Sequence, residues 1–384
     1  MIFRSRGIAA SLTVFIVIVS GTMLAFSTSA AHGPPVDNWT VALYIAADNN
    51  LEIAWDHYTL RGLLDIPDSD DVNIVAMVDR LSTNGTEFLE FSGDSYEVVA
   101  TYPEMNTGLG ETFSFFLSEV TTMYPSENLC VIAWDHGGSW LGFCSDDSQG
   151  GLIGMNDFSY ALNDAGVYID VFALDACIMS TTEVIYEAYT TGLVSYVISS
   201  EMYVPFDGFP YDDMFTPLTE NPAATPEELC SIMLDGWDAY YHRGRSVNLV
   251  VVDVNAFGES LSVFQTWSDA LLGGLSAHEF EYLTAVDESL TNDYIATTVD
   301  LYDLCEQIIA NVEDEVIMEA SMAVMSTVDT TVVGLSTSGW AQDMHGLTIW
   351  WMSADYVRYL PRYMEEVQFA TDSGWGTFLE TLYV

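Results

Sequence analysis

Two short runs hold residues that could do nucleophilic chemistry. Leu129-Cys130-Val131-Ile132-Ala133-Trp134 is apolar and ends abruptly in Asp135-His136-Gly137-Gly138. Val167-Tyr168-Ile169-Asp170-Val171-Phe172-Ala173-Leu174 leads in the same way into Asp175-Ala176-Cys177. A free thiol has a pKa near about 8.5, so a cysteine nucleophile needs help to ionise. Histidine is the side chain that most often moves protons near neutral pH. His136 would therefore handle the thiol proton while Cys177 attacks a carbonyl. Backbone N–H groups at Gly137, Gly138 and Cys177 could receive the oxyanion of a tetrahedral intermediate. Glycine beside the histidine lets backbone approach a substrate with no β-carbon in the way. Taken singly, a cysteine is more often a small buried hydrophobe and a histidine a hydrogen-bonded turn residue. Both standing at the ends of apolar runs is what favours chemistry.

Nearby acids could recognise a substrate. Asp175 lies two residues before Cys177, and on a strand such side chains share a face. A carboxylate there could hold an arginine or lysine by charge-assisted hydrogen bonds. Asp207, in Pro205-Phe206-Asp207-Gly208, is a second candidate for that pocket, against an ordinary Asp-Gly turn. Glu201 falls at the same rim. His57, His242, His278 and His345 have no partners at metal-ligand spacing, so no metal site is assigned. The Asp146-Asp147 loop lacks the alternating oxygen spacing of an EF-hand. Calcium therefore has no motif behind it; a solvated loop and no cofactor are expected.

Elements must bring these residues together. Both runs read as buried parallel strands, and in open α/β sheets catalytic groups collect at the carboxyl ends of strands. Trp39–Ala47, closed by Asp48-Asn49-Asn50, and Val72–Val78 are further buried strands, with helical spacing over Leu51–Leu64 between them. Phe88–Phe91 and Tyr96–Thr101 predict a hairpin, and Gly110 to about Tyr124 a helix. Met155–Ala165 and Thr181–Tyr189 read as helices. The second would set Cys177 just before a helix amino end, where unpaired N–H groups favour a thiolate. Leu193–Ser200 reads as a strand, Met202–Pro217 as an irregular substrate-binding loop, and Pro226–Tyr241 as a helix. Beyond a strand at Val247–Val254 come helices at Ala256–Leu272, Thr298–Val312 and Glu315–Met325. Thr331–Leu335 and Gly346–Trp351 would close the chain as a strand pair before short terminal helices. The expectation is one α/β unit over residues 32–384, with C-terminal helical and strand additions from about residue 256.

Composition narrows the partners. The chain has 384 residues, 50% hydrophobic, enough for a sizeable core. Its 57 acidic residues face 8 basic ones, all arginine, for a net charge of −49. Such a surface repels phosphate backbones and anionic lipid, which excludes nucleic acid as a partner class. It suits cationic substrates or high salt. Arg4 and Arg6 precede the apolar stretch Ile8–Phe26 and then Ser27-Thr28-Ser29-Ala30-Ala31. Residues 1–31 thus read as an export signal, with an uncleaved membrane anchor as the alternative. Five cysteines leave at least one thiol unpaired in an exported chain, with Cys177 the candidate. The other four allow three pairings, and Cys130 and Cys305 are expected to stay buried and reduced.

The chain resembles the clostripain family of cysteine peptidases, in the wider group with caspases, gingipains and legumains. The likeness rests on Val41–Glu52, Val72–Val75, Met105–Gly108, Trp134–Trp140, Leu174–Met179, Ser200-Glu201 through Gly208, and Gly346–Ile349. The His-Gly and Asp-Ala-Cys pair in this order is its specific part. The resemblance implies a caspase-like αβα sandwich with a mostly parallel central sheet. It also implies a His136–Cys177 dyad, Asp175 near the primary specificity pocket, and peptide or protein substrates cut after arginine or lysine. One departure stands out: no arginine or lysine occurs between Arg80 and Arg243. Self-cleavage at a basic residue between the two catalytic strands is therefore impossible, so the chain would work unsplit or else not be basic-specific. The alternative to a secreted endopeptidase is a caspase-like binding or adhesion module without turnover.

Overall fold

The computed structural model describes residues 36–241, 245–292, 298–352 and 354–384; the expected export signal and His242 lie outside them. Residues 36–384 form one compact unit. In chain order the strands are β1 (Asp37–Ala47), β2 (Val72–Arg80), β3 (Thr86–Ser92), β4 (Ser95–Tyr102) and β5 (Ser126–Trp134). Next come β6 (Phe143–Ser145), β7 (Leu152–Ile153), β8 (Ile169–Asp175), β9 (Val194–Ser199) and β10 (Val247–Asp253). The last are β11 (Thr291–Asn292), β12 (Thr298–Asp300), β13 (Val332–Ser338) and β14 (Thr348–Trp350).

Nine of these build one sheet in the order β13-β10-β9-β8-β5-β1-β2-β3-β4. From β9 through β8, β5 and β1 to β2 every pairing is parallel. Antiparallel strands extend both ends, β10 and β13 on one side, β3 and β4 on the other. The central strands are continuous apolar runs because both of their faces are covered. Alternation along β1 shows it: Ala42, Tyr44 and Ala46 enter one core, and Val41, Leu43 and Ile45 the other. The first core packs under the helices at Gly110–Met123, Met155–Ala165, Thr182–Thr191 and Leu261–Glu288. The second packs under Tyr211–Glu220 and Pro226–Tyr241. The result is the expected three-layer αβα arrangement.

Several local expectations shift. The segment from Leu51 to Leu64 winds into a π-turn at Trp55–Thr59, flanked by α-helical turns. The loop after β9 is irregular only to Pro210; Tyr211–Glu220 is a helix despite Pro217 inside it, because Tyr211, Met214, Phe215 and Leu218 bury one face. The stretch expected as a helix from Thr298 opens as β12 before turning helical at Leu301. The two C-terminal strands do not pair with each other. β13 joins β10 at the edge of the main sheet, and β14 pairs with β12 in a small second sheet. Their alternation gives no hint of partner; β14 is drawn inward by Ser180, whose carbonyl accepts from Thr348 N–H at 3.0 Å. All five cysteines are free thiols, so none of the possible disulfides forms.

Candidate active site

β5 and β8 lie side by side in parallel, with Trp134 opposite Asp175. Their next residues carry the chain over the carboxyl rim together, where Asp135 N–H donates to the Asp175 carbonyl at 3.3 Å. His136 and Cys177 then line one cavity of about 300 Å³, with Asn50, Leu51, Ala54, Trp134, Asp175, Val204, Pro205 and Phe206 among its walls. The imidazole is solvent-exposed and the thiol half-buried. They make no direct hydrogen bond. The thiol points to the Val204 carbonyl at 3.9 Å, and Nε2 of the ring lies 3.0 Å from Asn50 Oδ1.

The backbone around the pair is crowded. A β-carbon on Gly137 would stand 2.3 Å from the Cys177 carbonyl oxygen and 3.0 Å from the Cys177 nitrogen, so only glycine fits. The N–H groups of Gly137 and Cys177 have no hydrogen-bond partner among the described residues. The Gly138 N–H is different from expectation: it donates to the Gly142 carbonyl at 2.9 Å and is closed to a substrate. Ile178 holds φ at 51°, a left-handed conformation that a β-branched residue adopts only under strain. Its N–H is pinned to the Met202 carbonyl at 2.8 Å, which fixes the turn on which the cysteine sits.

The expected help from a helix amino end is missing. β8 stops at Asp175 and the following helix starts at Thr182, so Cys177 sits in the turn between them. Burial pushes the thiol pKa up; the Val204 contact offsets part of this, and Asp175 and Asp135 push further up. Desolvation holds His136 below its ordinary value, against a pull from Asp147. The resting pair is thus a neutral thiol beside a neutral imidazole.

Asp175 does reach this cavity, but the strand ends there, so it shares no strand face with Cys177. It is buried, and its Oδ2 accepts from Phe209 N–H at 3.0 Å and Tyr211 O–H at 2.8 Å. Burial pushes its pKa up to about 6 despite those bonds. Asp207 is not brought in: it is absent from the cavity wall and pairs outward with Arg245 at 2.9 Å. Glu201 is buried away from the cavity, accepting from Gly346 N–H at 2.9 Å and Asn248 Nδ2 at 2.7 Å.

Three residues escaped the sequence reading. Asn50 bonds the imidazole, and Asn49 and Asp135 join beneath it at 2.8 Å. The polar Asp-Asn-Asn close of an otherwise apolar strand was the available signal. Asp146 also departs from expectation: rather than solvated it is buried, with one carboxylate oxygen each from Asp48, Asp79 and itself within 4.8 Å of one another. Among the described residues these are the group that could hold a metal ion. Burial, with Glu104, Asp146 and Asp48 nearby, pushes Asp79 up to about 7, so a proton there relieves the crowding.

A parallel-centred sheet of this order, sandwiched by helices, defines a class by its architecture: the caspase-like α/β fold. The chain belongs to the clostripain family, whose model (Peptidase C11) matches residues 43–380. Clostripain from Hathewaya histolytica is 25% identical over 218 residues, covering 46% of this chain and 41% of clostripain. The chain thus spans about two-fifths of that curated relative's length. A secreted C11 cysteine protease from Bacteroides thetaiotaomicron, solved with an irreversible peptide inhibitor, superposes with a TM-score of 0.68 at 17% identity, covering 88% of this chain and 99% of that one. An inactive zymogen C11 protease from Parabacteroides distasonis gives 0.69 at 20% identity, covering 89% and 99%. At these identities the two structures establish the fold.

Proposed function

We propose that this chain is an exported cysteine endopeptidase that hydrolyses peptide and protein substrates through His136 and Cys177, after arginine or lysine. The observation that carries this reading is the shared cavity of thiol and imidazole, with the unengaged Cys177 N–H on its wall and Gly137 packed against the Cys177 backbone. His136 accepts the thiol proton as sulfur bonds to the scissile carbonyl carbon. The oxyanion is received by the N–H groups of Gly137 and Cys177, and the imidazolium returns its proton to the leaving amine as the C–N bond breaks. Water, deprotonated by His136, then releases the acyl group and restores the thiol. Because the resting pair is neutral, proton transfer accompanies attack rather than preceding it. Replacing Cys177 by alanine abolishes turnover; an unchanged rate on arginyl substrates ends this reading.

Basic specificity rests on Asp175, a buried carboxylate on the wall of the cavity that ionises above about pH 6. Asp207, neutralised by Arg245, is left an outer role. A positional-scanning peptide library on wild type and Asp175→Asn tests this, since the arginine and lysine preference should vanish in the variant. With no basic residue between Arg80 and Arg243, the enzyme works unsplit; a nick between His136 and Cys177 on incubation contradicts that. Export rests on the character of residues 1–31. Amino-terminal sequencing of secreted protein checks it. The chemistry needs no cofactor: dialysis against a chelator should leave the rate unchanged, and a loss restored by calcium would assign a cation to Asp48, Asp79 and Asp146.

A further inference from the structure

We infer that Asn50 is a positioning residue for His136: it fixes the imidazole as the Nε2–H tautomer and so leaves Nδ1 as the nitrogen that takes the thiol proton. The inference rests on the His136–Cys177 reading of the site and deepens it. Its basis is geometric. Nε2 lies 3.0 Å from Asn50 Oδ1, and a carboxamide oxygen can only accept. With the amide oxygen facing it, the ring nitrogen carries the hydrogen. Desolvation keeps the ring neutral, so its one proton is committed to Nε2 and the lone pair to Nδ1.

The partner is held in place from below. β1 and β5 pair in parallel, with Ile45 opposite Trp134, and the loops that follow Ala47 and Trp134 leave the same rim of the sheet. One step before the Asn50–His136 contact, Asn49 and Asp135 form a second contact at 2.8 Å. Asn49 is fully buried: its Nδ2 also donates to the carbonyls of Ala46 and Ser145, each at 3.1 Å, and its Oδ1 accepts from Leu51 N–H at 2.8 Å. Asn50 therefore stands on a rigid corner although its own side chain is exposed. When sulfur attacks, the S–H bond breaks and the Nδ1–H bond forms. The new imidazolium then strengthens Nε2–H···Oδ1 into a charge-assisted bond, an interaction realised mainly in the transition state. The flipped amide, donating from Nδ2 to Nε2, would put the proton on Nδ1 and block the transfer.

Two measurements test this. The first needs no turnover: long-range nitrogen–proton spectra of histidine-labelled protein, with His136 assigned by comparison with His136→Gln. The Nε2–H tautomer is expected in wild type, and an Nδ1–H tautomer overturns the inference. The second compares pH profiles of kcat and kcat/KM for Asn50→Ala and Asn50→Asp, both checked for unchanged melting. Asn50→Ala should lose roughly ten- to a hundredfold in kcat at little change in KM, the worth of one bond to a charged group. Asn50→Asp, whose carboxylate can only accept, should recover most of that loss and move the acidic limb of kcat/KM to higher pH. Wild-type kcat in Asn50→Ala, or equal losses in both with an unmoved limb, overturns it. If instead Cys177→Ala retains full activity while the tautomer is as expected, the peptidase reading has failed, Nδ1 takes no thiol proton, and only the hold of Asn50 on the ring survives.

Discussion

At the scale of single residues, the site is built by exclusion as much as by placement. Gly137 is required because the Cys177 backbone lies against it, and a Gly137→Ala side chain would collide with backbone at 2.3 Å. That chain should fold, because only the rim must shift. A displacement of about 1 Å at the reacting groups costs on the order of a hundredfold in rate. Steady-state kinetics on an arginyl peptide check this; a rate within a factor of two of wild type would mean the rim yields without consequence. The sequence made His136, Gly137 and Cys177 legible because a polar group at the end of a buried apolar run has few bland explanations. The Arg245 partner of Asp207 was not legible, because Pro-Phe-Asp-Gly reads the same whether or not the carboxylate pairs with an arginine distant in sequence. No local pattern reports such a partner.

Elements decide what the loops around the site can do. β9 ends at Ser199, and Glu201 anchors the start of the loop whose Val204, Pro205 and Phe206 wall the cavity. Burial first, and Asp300 beside it, hold the Glu201 pKa well above the carboxylate range. Asp300 in turn accepts from Asp303 N–H at 2.8 Å, capping the helix from Leu301, and from His345 N–H at 2.7 Å. Both influences favour the protonated form of Glu201. Glu201→Gln should therefore melt within a few degrees of wild type, while Asp300→Ala should lose at least about 1–2 kcal/mol for its cap alone. Calorimetry of both separates them; a Glu201→Gln chain as damaged as Asp300→Ala would mean Glu201 is ionised. The sequence located β9 and the helix at Leu301 but not their junction. The central strands were legible because covering both faces writes a long apolar run. β12, β13 and β14 were misjudged because three-residue strands and an edge strand carry too little pattern to name a partner.

For the whole molecule, charge is the dominant quantity. With −49 on 384 residues, self-repulsion opposes compaction, so added salt should raise the melting temperature by screening it. Buried acids add a pH dependence of definite sign. Burial raises Asp135 and Glu187 to about 7 and Asp175 to about 6. In the unfolded chain such groups titrate near about 4. Between about pH 4 and 7 the folded state keeps protons that the unfolded state releases, so stability falls as pH rises through that window and levels off above it. Melting temperatures across pH 4.5 to 8 at fixed salt read this directly; a steady rise over the range contradicts it.

The most direct measurement is covalent. Incubation with a peptide ketone bearing arginine next to the reactive carbon, followed by mass mapping, should modify Cys177 alone. The thiols at Cys130, Cys144, Cys230 and Cys305 are buried and should stay untouched. The same reagent ending in aspartate should react far more slowly, and His136→Ala should suppress labelling. Uniform labelling of several cysteines, or none at Cys177 while peptide hydrolysis continues, would remove the thiol and imidazole from the chemistry.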